Sequence, residues 1–275
     1  MKTFLDSRQI EHDPKYFMSS GAIAPNPEQP KRVAILSAGA KDARCVFAEP
    51  TNMGIGHIAK IHSPQYLTFL ENIHERWTRI PGGGEEVVPN IHPRAREDGY
   101  PRSAVGQAGY HQADTTCPIA EHTWKSAYWS AQSALNGADF IAKGGQNAYA
   151  LSRPPGHHAY ADQAGGFCFL NNSAIAAEYL LANGMRPTIL DVDVHHGNGT
   201  QGIFYRRDDV LTVSLHADPE RFYPFFWGYE QEKGEGQGLG YNLNLPLTRG
   251  TGDNDFLNAL DIGLARARNF GSDVI

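Results

Sequence analysis

The segment PTILDVDVHHGNG, residues 187–199, predicts a buried strand that ends at a pair of glycines. Most of its positions from 189 to 194 are aliphatic, which is typical of strands buried on both faces. A second such run, VLTVSL at residues 210–215, follows along the chain. Strands that alternate with helical patterns indicate a parallel sheet, whose ligand sites lie beyond the carboxyl ends of the strands. The sequence therefore predicts an α/β fold built on a mainly parallel sheet.

Apolar residues at helical spacing predict helices over residues 64–77 and 123–143, and NNSAIAAEYLLANG predicts another that ends at Gly184. Residues 78–122 contain many prolines and glycines and little periodicity, so they are predicted to form a long loop. A compact domain rarely carries such a loop without a use, such as a lid or an oligomer contact. With no internal repeat, we expect one domain over residues 1–275.

Composition excludes several classes of function. The formal charge is 24 − 30 = −6, so neither nucleic acid nor anionic lipid is an expected partner. Three widely spaced cysteines suit a reducing cytosol, and no apolar run approaches the roughly 18 residues of a membrane span. We expect a soluble, cytoplasmic protein with no membrane contact.

Asp191, Asp193 and His195 are expected to project from one face of the strand end, while Val192 and Val194 face the other way. Burying an unpaired carboxylate costs several kcal/mol, so two of them indicate a compensating cation. Aspartate oxygen and histidine nitrogen suit a catalytic zinc ion, which commonly has three protein ligands and an open position. A structural network of ion pairs is the alternative.

The segment RPPGHH, residues 153–158, places two adjacent histidines after two prolines. The prolines fix the backbone, and Gly156 allows an unusual dihedral, so His157 and His158 are candidate acid–base groups. Taken alone, such a pair is more often surface or core filling. A metal-bound water needs a base of near-neutral pKa, which favours the catalytic interpretation. His62, in a polar segment before a helix, is interpreted as solvated.

Four segments together resemble the signature blocks of the histone deacetylase superfamily, most of all its bacterial acetylpolyamine amidohydrolase branch. They are RPPGHHA (153–159), GGFCFLNN (165–172), DVDVHHGNGTQGIFY (191–205) and SLHADPERFYP (214–224). The resemblance implies a three-layer, arginase/deacetylase-like α/β fold. It also implies hydrolysis of an acetamide by zinc-activated water, which yields acetate and a free amine.

The resemblance makes Asp193 and His195 ligands of one Zn²⁺ ion per chain, and His157 and His158 the tandem histidines beside its water. Asp191 falls where the family orients the first histidine. Asn198 falls where some members have an aspartate partner for the second. Because an amide does not stabilise a cation as a carboxylate does, we expect the pKa of His158 to be lower than that of an aspartate-paired histidine.

Two further groups of residues are implied by the same resemblance. Gly166, Phe167 and Tyr223 match the walls of a narrow substrate tunnel. A structural K⁺ site is expected around the backbone of Asp191, Asp193, His195, Ser214 and Leu215.

The chain departs from the family pattern in its last part. The family's second zinc-binding aspartate and its oxyanion tyrosine, in a Gly-Gly-Tyr context, have no counterpart before Ile275. We therefore expect a fragment that lacks C-terminal strands and helices. The alternative function is a catalytically impaired fragment or pseudoenzyme that only binds acetylated ligands.

The substrate is expected to be an acetylpolyamine, an acetyl-lysine or a similar small acetylated amine. The segment RSAVGQAG, residues 102–109, resembles the end of the loop that supplies acidic residues in polyamine-specific relatives, yet it contains no acid. Asp98 and Asp114 flank it and are candidate substitutes. The loop over residues 78–122 also resembles the segment through which that branch dimerises, so we expect a homodimer.

Overall fold

The computed structural model describes residues 1–95 and 99–275. The chain divides into two compact units, Met1–Ile175 and Ala176–Ile275. Each contains a three-stranded parallel sheet with helices packed on it, so the predicted α/β class is confirmed. The single domain over residues 1–275 stays a prediction. In this described part of the chain, no helix has the length and hydropathy needed to cross a membrane.

The first unit is built on a parallel sheet of order β4-β1-β5, accompanied by an antiparallel β2–β3 hairpin. Its strands are β1 (Lys2–Phe4), β2 (Tyr16–Ser19), β3 (Ala22–Pro25), β4 (Val46–Ala48) and β5 (Ala148–Ala150). Its helices are α1 (Lys31–Asp42), α2 (Pro64–Trp77), α3 (Ala104–His111) and α4 (Thr123–Ala142). The boundary between the units falls within α5 (Asn172–Ala182).

Helix α2 has the extent that its apolar spacing predicts. The Ser63 side chain caps it by accepting a hydrogen bond from the Tyr66 backbone N–H, and Pro64 occupies the first turn, where a missing N–H costs nothing. Leu70 and Ile73 on its apolar face are at most 2% exposed. Local chemistry therefore determines both where this helix begins and which face it buries.

The second unit has a parallel sheet of order β6-β7-β8. Its strands are β6 (Thr188–Asp191), β7 (Leu211–Ala217) and β8 (Asn242–Leu247), and its helices after α5 are α6 (Asn198–Phe204) and α7 (Asp253–Phe270). Val213 and other aliphatic residues of β7 are buried against α7. The approach is close at Gly263, where a Cβ would lie 2.9 Å from Val213 Cγ1. Asp191 and Ser214 pair in register, which places the end of β6 beside the middle of β7.

The predicted buried strand through Val194 is shorter than expected. β6 ends at Asp191, and Val192 and Val194 are each 54% exposed, so their predicted burial is wrong. The Asp191 Oδ1 atom accepts a hydrogen bond from the Asp193 N–H at 3.0 Å. An aspartate that bonds to the backbone two residues further on competes with the sheet ladder, which accounts for the early end of the strand.

The segment predicted as one long loop, residues 78–122, contains helix α3 and an isolated antiparallel bridge between Val87 and Ile119. Ser103 caps α3 by accepting a hydrogen bond from the Gly106 N–H. Gly109 permits a close approach, since a Cβ there would lie 1.7 Å from the Ile91 carbonyl oxygen. Two glycines weaken intrinsic helix propensity, so tertiary packing decides this helix.

His12 and His62 are two of the four buried histidines in the described part of the first unit. Nδ1 of His12 hydrogen-bonds with Thr123 Oγ1 at 2.9 Å, and Nε2 of His62 accepts a hydrogen bond from the Asn171 N–H at 2.9 Å. Each is 1% exposed, so the interpretation of His62 as solvated is wrong. Tyr160, Ala161 and Asn171, which are distant in sequence, supply contacts that no pattern around His62 indicates. Burial lowers the pKa of His12 to about 3 and that of His62 to about 4.

We expect the free energy of unfolding to fall between pH 7 and pH 5. The unfolded chain protonates both histidines near a pKa of about 6.5, whereas the folded protein does so only near pH 3 and 4. Each histidine therefore contributes a loss of about 2 kcal/mol over this range. Glu28 opposes part of the loss, because burial raises its pKa and the folded state binds its proton more readily.

Urea unfolding at the two pH values measures this loss. His62→Gln should flatten the pH dependence, because it removes one group that takes up a proton on unfolding. The control is His122→Gln, at an exposed histidine before α4. Identical pH dependence of the unfolding free energy in wild type and His62→Gln would contradict a lowered pKa for His62.

Candidate active site

The loop after β5 carries the two adjacent histidines. Residues 151–158 form no regular helix or strand. His157 is partly buried and His158 is 4% exposed. Their ring centroids lie 4.0 Å apart with an interplanar angle of 45°. Two imidazoles held this close are suited to acid–base chemistry near neutral pH.

Gly156 acts through its size and not through an unusual dihedral. Its φ lies outside the left-handed region, so that part of the prediction is wrong. A Cβ at this position would lie 2.6 Å from the Asn172 backbone nitrogen and 2.8 Å from the Leu170 carbonyl oxygen. Glycine is therefore required because the loop passes directly against the start of α5.

A two-residue turn presents Gly166 and Phe167. Gly165 and Cys168 exchange backbone hydrogen bonds across it, at 3.1 and 2.8 Å. The φ angles are +51° at Gly166 and +67° at Phe167, as in a type I′ hairpin turn, and positive φ is uncommon for an aromatic residue. A Cβ on Gly166 would lie 2.2 Å from His158 Cδ2, so the turn packs directly on the second histidine.

Two other segments of the first unit contact this turn. Phe17 of β2 packs on Phe167 with ring centroids 5.7 Å apart, a contact that no local sequence signal predicts. The Asp114 Oδ2 atom accepts a hydrogen bond from the Gly166 N–H at 3.3 Å. Asp114 thus lies beside the turn, whereas Asp98, the other predicted acidic residue, falls outside the described residues.

In the second unit, the three predicted polar residues follow one another from the end of β6. His195 N–H donates to Asp193 Oδ1 at 2.8 Å, and His195 Nδ1 lies 3.1 Å from the same oxygen. The Asp193 side chain is 50% exposed and that of His195 is 38% exposed. The expectation that both carboxylates are buried is therefore wrong for Asp193, because the chain has already left the sheet there.

The donor atoms of Asp193 and His195 fit two ligand positions of a zinc ion. Two tetrahedral ligands at about 2.0–2.1 Å from zinc are about 3.3 Å apart, close to the 3.1 Å between Asp193 Oδ1 and His195 Nδ1. Across residues 1–95 and 99–275, no three His, Cys, Asp or Glu side chains form a group that could hold a metal ion. Asp193 and His195 thus place two donor atoms at a spacing that a zinc ion could accept.

Two aromatic residues lie against His195. Phe222 stacks on the imidazole with centroids 4.9 Å apart and an interplanar angle of 15°. Tyr223, the predicted tunnel residue, lies edge-on at 6.0 Å and 76°. The prediction did not include Phe222, although it neighbours Tyr223 in the motif, because a one-residue register cannot be read from a run of aromatic residues.

Within the second unit, β7 and α6 carry further polar residues, some from the predicted set and others outside it. Ser214 Oγ hydrogen-bonds with Nδ1 of His216 at 2.8 Å, and His216 Nε2 donates to the Gly228 carbonyl at 2.8 Å. Burial lowers the pKa of His216, which was not among the predicted residues. Leu215 is fully buried, and Asn198 is buried as the first residue of α6.

The family model for the histone deacetylase domain matches residues 26–275. The acetylpolyamine amidohydrolase of Burkholderia pseudomallei is 46% identical over 276 residues, which cover 100% of this chain and 80% of that protein. The acetylpolyamine amidohydrolase of Mycoplana ramosa is 41% identical and aligns with 93% of this chain and 75% of its own length.

Solved structures agree with these similarities. A crystal structure of the acetylpolyamine aminohydrolase from Burkholderia pseudomallei superposes with a TM-score of 0.97 at 46% identity, covering 100% of this chain and 80% of that one. The crystal structure of the HDA15 HD domain gives a TM-score of 0.78 at 28% identity, covering 99% and 70%. The fold is therefore that of the deacetylase structures.

Proposed function

This chain belongs to the histone deacetylase family, in its acetylpolyamine amidohydrolase branch, and from that premise we propose that it is a zinc-dependent hydrolase of N-acetylated amines. The observation that carries the proposal is the 46% identity to an acetylpolyamine amidohydrolase over the whole of this chain. The paired histidines and the adjacent Asp193 and His195 donors support it, since they are the residue types that such a hydrolysis needs.

In the proposed mechanism, Asp193 and His195 hold the zinc ion, which when bound acts as a Lewis acid and lowers the pKa of water. His157 and His158 take up the proton of the attacking water and deliver one to the leaving amine. The Asp193 Oδ1 atom also accepts the backbone N–H of His195, which orients the carboxylate. The orienting roles of Asp191 and Asn198, and the lower pKa of His158, stay predictions.

The remaining roles are proposals of the same kind. Gly166, Phe167 and Tyr223 contact the aliphatic part of the substrate. The pairing of Asp191 with Ser214 supports the proposed K⁺ site, because it brings the backbone at the end of β6 beside Ser214 and Leu215 of β7. Dimerisation through residues 78–122 also stays a prediction.

A second function is favoured by a specific observation. The described residues contain no group of three metal-binding side chains, and Asp193 is half exposed. Catalytic zinc commonly has three protein ligands, so a site that offered only Asp193 and His195 would bind acetylated ligands with little or no turnover. This is the catalytically impaired fragment or pseudoenzyme.

Zinc content and turnover of this 275-residue chain decide between the two functions. We expect about one zinc per chain by mass spectrometry and hydrolysis of both acetylputrescine and an acetyl-lysine peptide, lost with a chelator and restored by zinc. Rates within about tenfold of each other, or 1.4 kcal/mol, would identify a broad acyl-amine deacylase and not a dedicated polyamine enzyme. A chain that contains no zinc and binds these ligands without turnover would establish the catalytically impaired alternative.

A further inference from the structure

A buried ion pair lies at the start of the loop that carries His157 and His158. Arg153 is 3% exposed and Glu28 is 2% exposed. Their Nε and Oε1 atoms are 3.0 Å apart. Two charges this deeply buried are stable only when good geometry and further hydrogen bonds compensate for lost hydration. The pair is therefore costly to maintain unless the segments that it joins compensate for that cost.

The guanidinium of Arg153 is bonded on several sides. Besides Nε, its Nη1 donates to the Gln9 carbonyl at 2.6 Å, and Nη2 donates to the Glu28 carbonyl at 3.2 Å. The Arg153 backbone N–H donates to Gln9 Oε1 at 2.7 Å. A planar, forked cation with fixed donors can tie three chain segments together in one geometry, which a lysine cannot do.

The anchoring continues into α4 and along the loop. Gln9 is fully buried, and its Nε2 donates to Ser133 Oγ at 2.9 Å. Ser130 Oγ donates to the Pro154 carbonyl at 2.9 Å. The Arg153 backbone N–H and the Pro154 carbonyl are thus both bonded to side chains from distant parts of the chain.

The charges around the pair are few. Glu28 Oε1 lies 3.6 Å from Arg32 Nη1, and Glu28 Oε2 lies 3.9 Å from His12 Nε2 without a hydrogen-bond partner in the described chain. Burial keeps His12 neutral near pH 7, since its pKa is lowered to about 3. Besides Glu28, the charged groups that act on Arg153 are Asp13, which raises its pKa, and Arg32, which lowers it. Removing the carboxylate charge of Glu28 would therefore leave the buried Arg153 without its bonded counter-ion.

We propose that the Arg153–Glu28 pair is a positioning device that fixes the loop of His157 and His158 in its working geometry, an inference that rests on the proposed function. The loop has no helix or strand of its own, so its shape depends on such side-chain anchors. His158, five residues after Arg153, packs without space against Gly166. A displacement at Arg153 would therefore change how the His158 ring packs against the Gly166 turn.

The test compares three changes with a matched control. Glu28→Gln keeps the shape of the side chain and removes its charge. Arg153→Lys keeps the positive charge and removes the planar, forked guanidinium. The double variant Glu28→Gln/Arg153→Met removes both charges. The control is Glu11→Gln, at the partly exposed end of the Glu11–Lys125 ion pair. A positioning role predicts that kcat falls about 10- to 100-fold in Arg153→Lys with little change in KM, because the histidines act only in the transition state.

The double variant separates positioning from stability. Replacing both partners of a buried pair by neutral groups often preserves folding, so its melting temperature should recover relative to Glu28→Gln while kcat stays low. Recovery of both the melting temperature and kcat to wild-type values would show that the pair is only structural. Unchanged kcat in Arg153→Lys would likewise overturn the proposal.

Imidazole NMR signals of His157 and His158 provide a readout that is independent of turnover. We expect them to shift or broaden in Arg153→Lys and in the double variant, and to remain unchanged in Glu11→Gln. If the wild-type chain shows no turnover, the proposed function fails, but the signals still report whether the pair positions the rings. Unchanged signals in both variants would disprove the positioning itself.

Discussion

Asp193→Asn is expected to abolish stoichiometric zinc binding and to lower the rate of deacetylation about 10³-fold. The amide keeps the size of the carboxylate and can still accept the His195 N–H, which Asp193 Oδ1 accepts at 2.8 Å. It loses the anionic donor, and metal activation is worth several kcal/mol, with each 1.4 kcal/mol equal to a factor of ten in rate. Zinc content by mass spectrometry and turnover of acetylputrescine measure the two effects separately.

The matched control is Asp261→Asn, at an exposed position of α7 in the same unit. It makes the same chemical change away from the candidate site and should leave both zinc content and rate unchanged. Full zinc occupancy in Asp193→Asn would show that this carboxylate is not a ligand. The zinc measurement retains its meaning whether or not the wild-type chain turns over substrate.

Gly166→Ala is expected to reduce turnover about 100-fold and to destabilise the protein by a few kcal/mol. Its new Cβ would lie 2.2 Å from His158 Cδ2, a distance that requires the ring or the turn to move. Overpacking of this kind costs about 1–3 kcal/mol, and the left-handed φ of +51° adds about 1 kcal/mol for any L side chain. A displacement of about 1 Å in an acid–base group is enough for a 100-fold loss of rate.

Gly184→Ala separates backbone strain from the steric clash. Gly184 also has a left-handed φ, +77°, but a Cβ there meets no atom within 4 Å. This control should lose only about 1 kcal/mol of stability and retain turnover. Thermal or urea unfolding and the hydrolysis rate of both variants make the comparison. Equal stability losses in the two variants would show that the Gly166 turn relaxes away from His158 without cost.

Elements with strong local signals could be predicted from the sequence. Helix α2 has its predicted bounds because Ser63, Pro64 and a regular apolar face all act within the helix or next to it. Strand β7 is likewise found within one or two residues of the aliphatic run that predicts it. In both cases the determining chemistry lies within one turn or one pleat of the residue concerned.

Elements that depend on distant contacts could not be predicted in this way. Helix α3 contains two glycines and exists where its backbone packs closely on Ile91. Val192 and Val194 are predicted to be core residues, yet both are exposed. Strand β6 ends before them because the Asp191 side chain accepts a hydrogen bond from the Asp193 N–H. His62 lies in a polar segment, yet it is buried and its Nε2 accepts a hydrogen bond from the distant Asn171 N–H.

The sequence alone establishes the family, the α/β class and the residue types of the candidate site, because these depend on motifs whose members are neighbours in the chain. Only the tertiary structure shows that Gly166 is pressed against His158 and that Arg153 is paired with Glu28. Such contacts join segments far apart in sequence, and they depend on packing and on the burial of charge. Neither the packing between distant segments nor the burial of charge follows a periodicity along the chain, so neither can be predicted from a local sequence pattern.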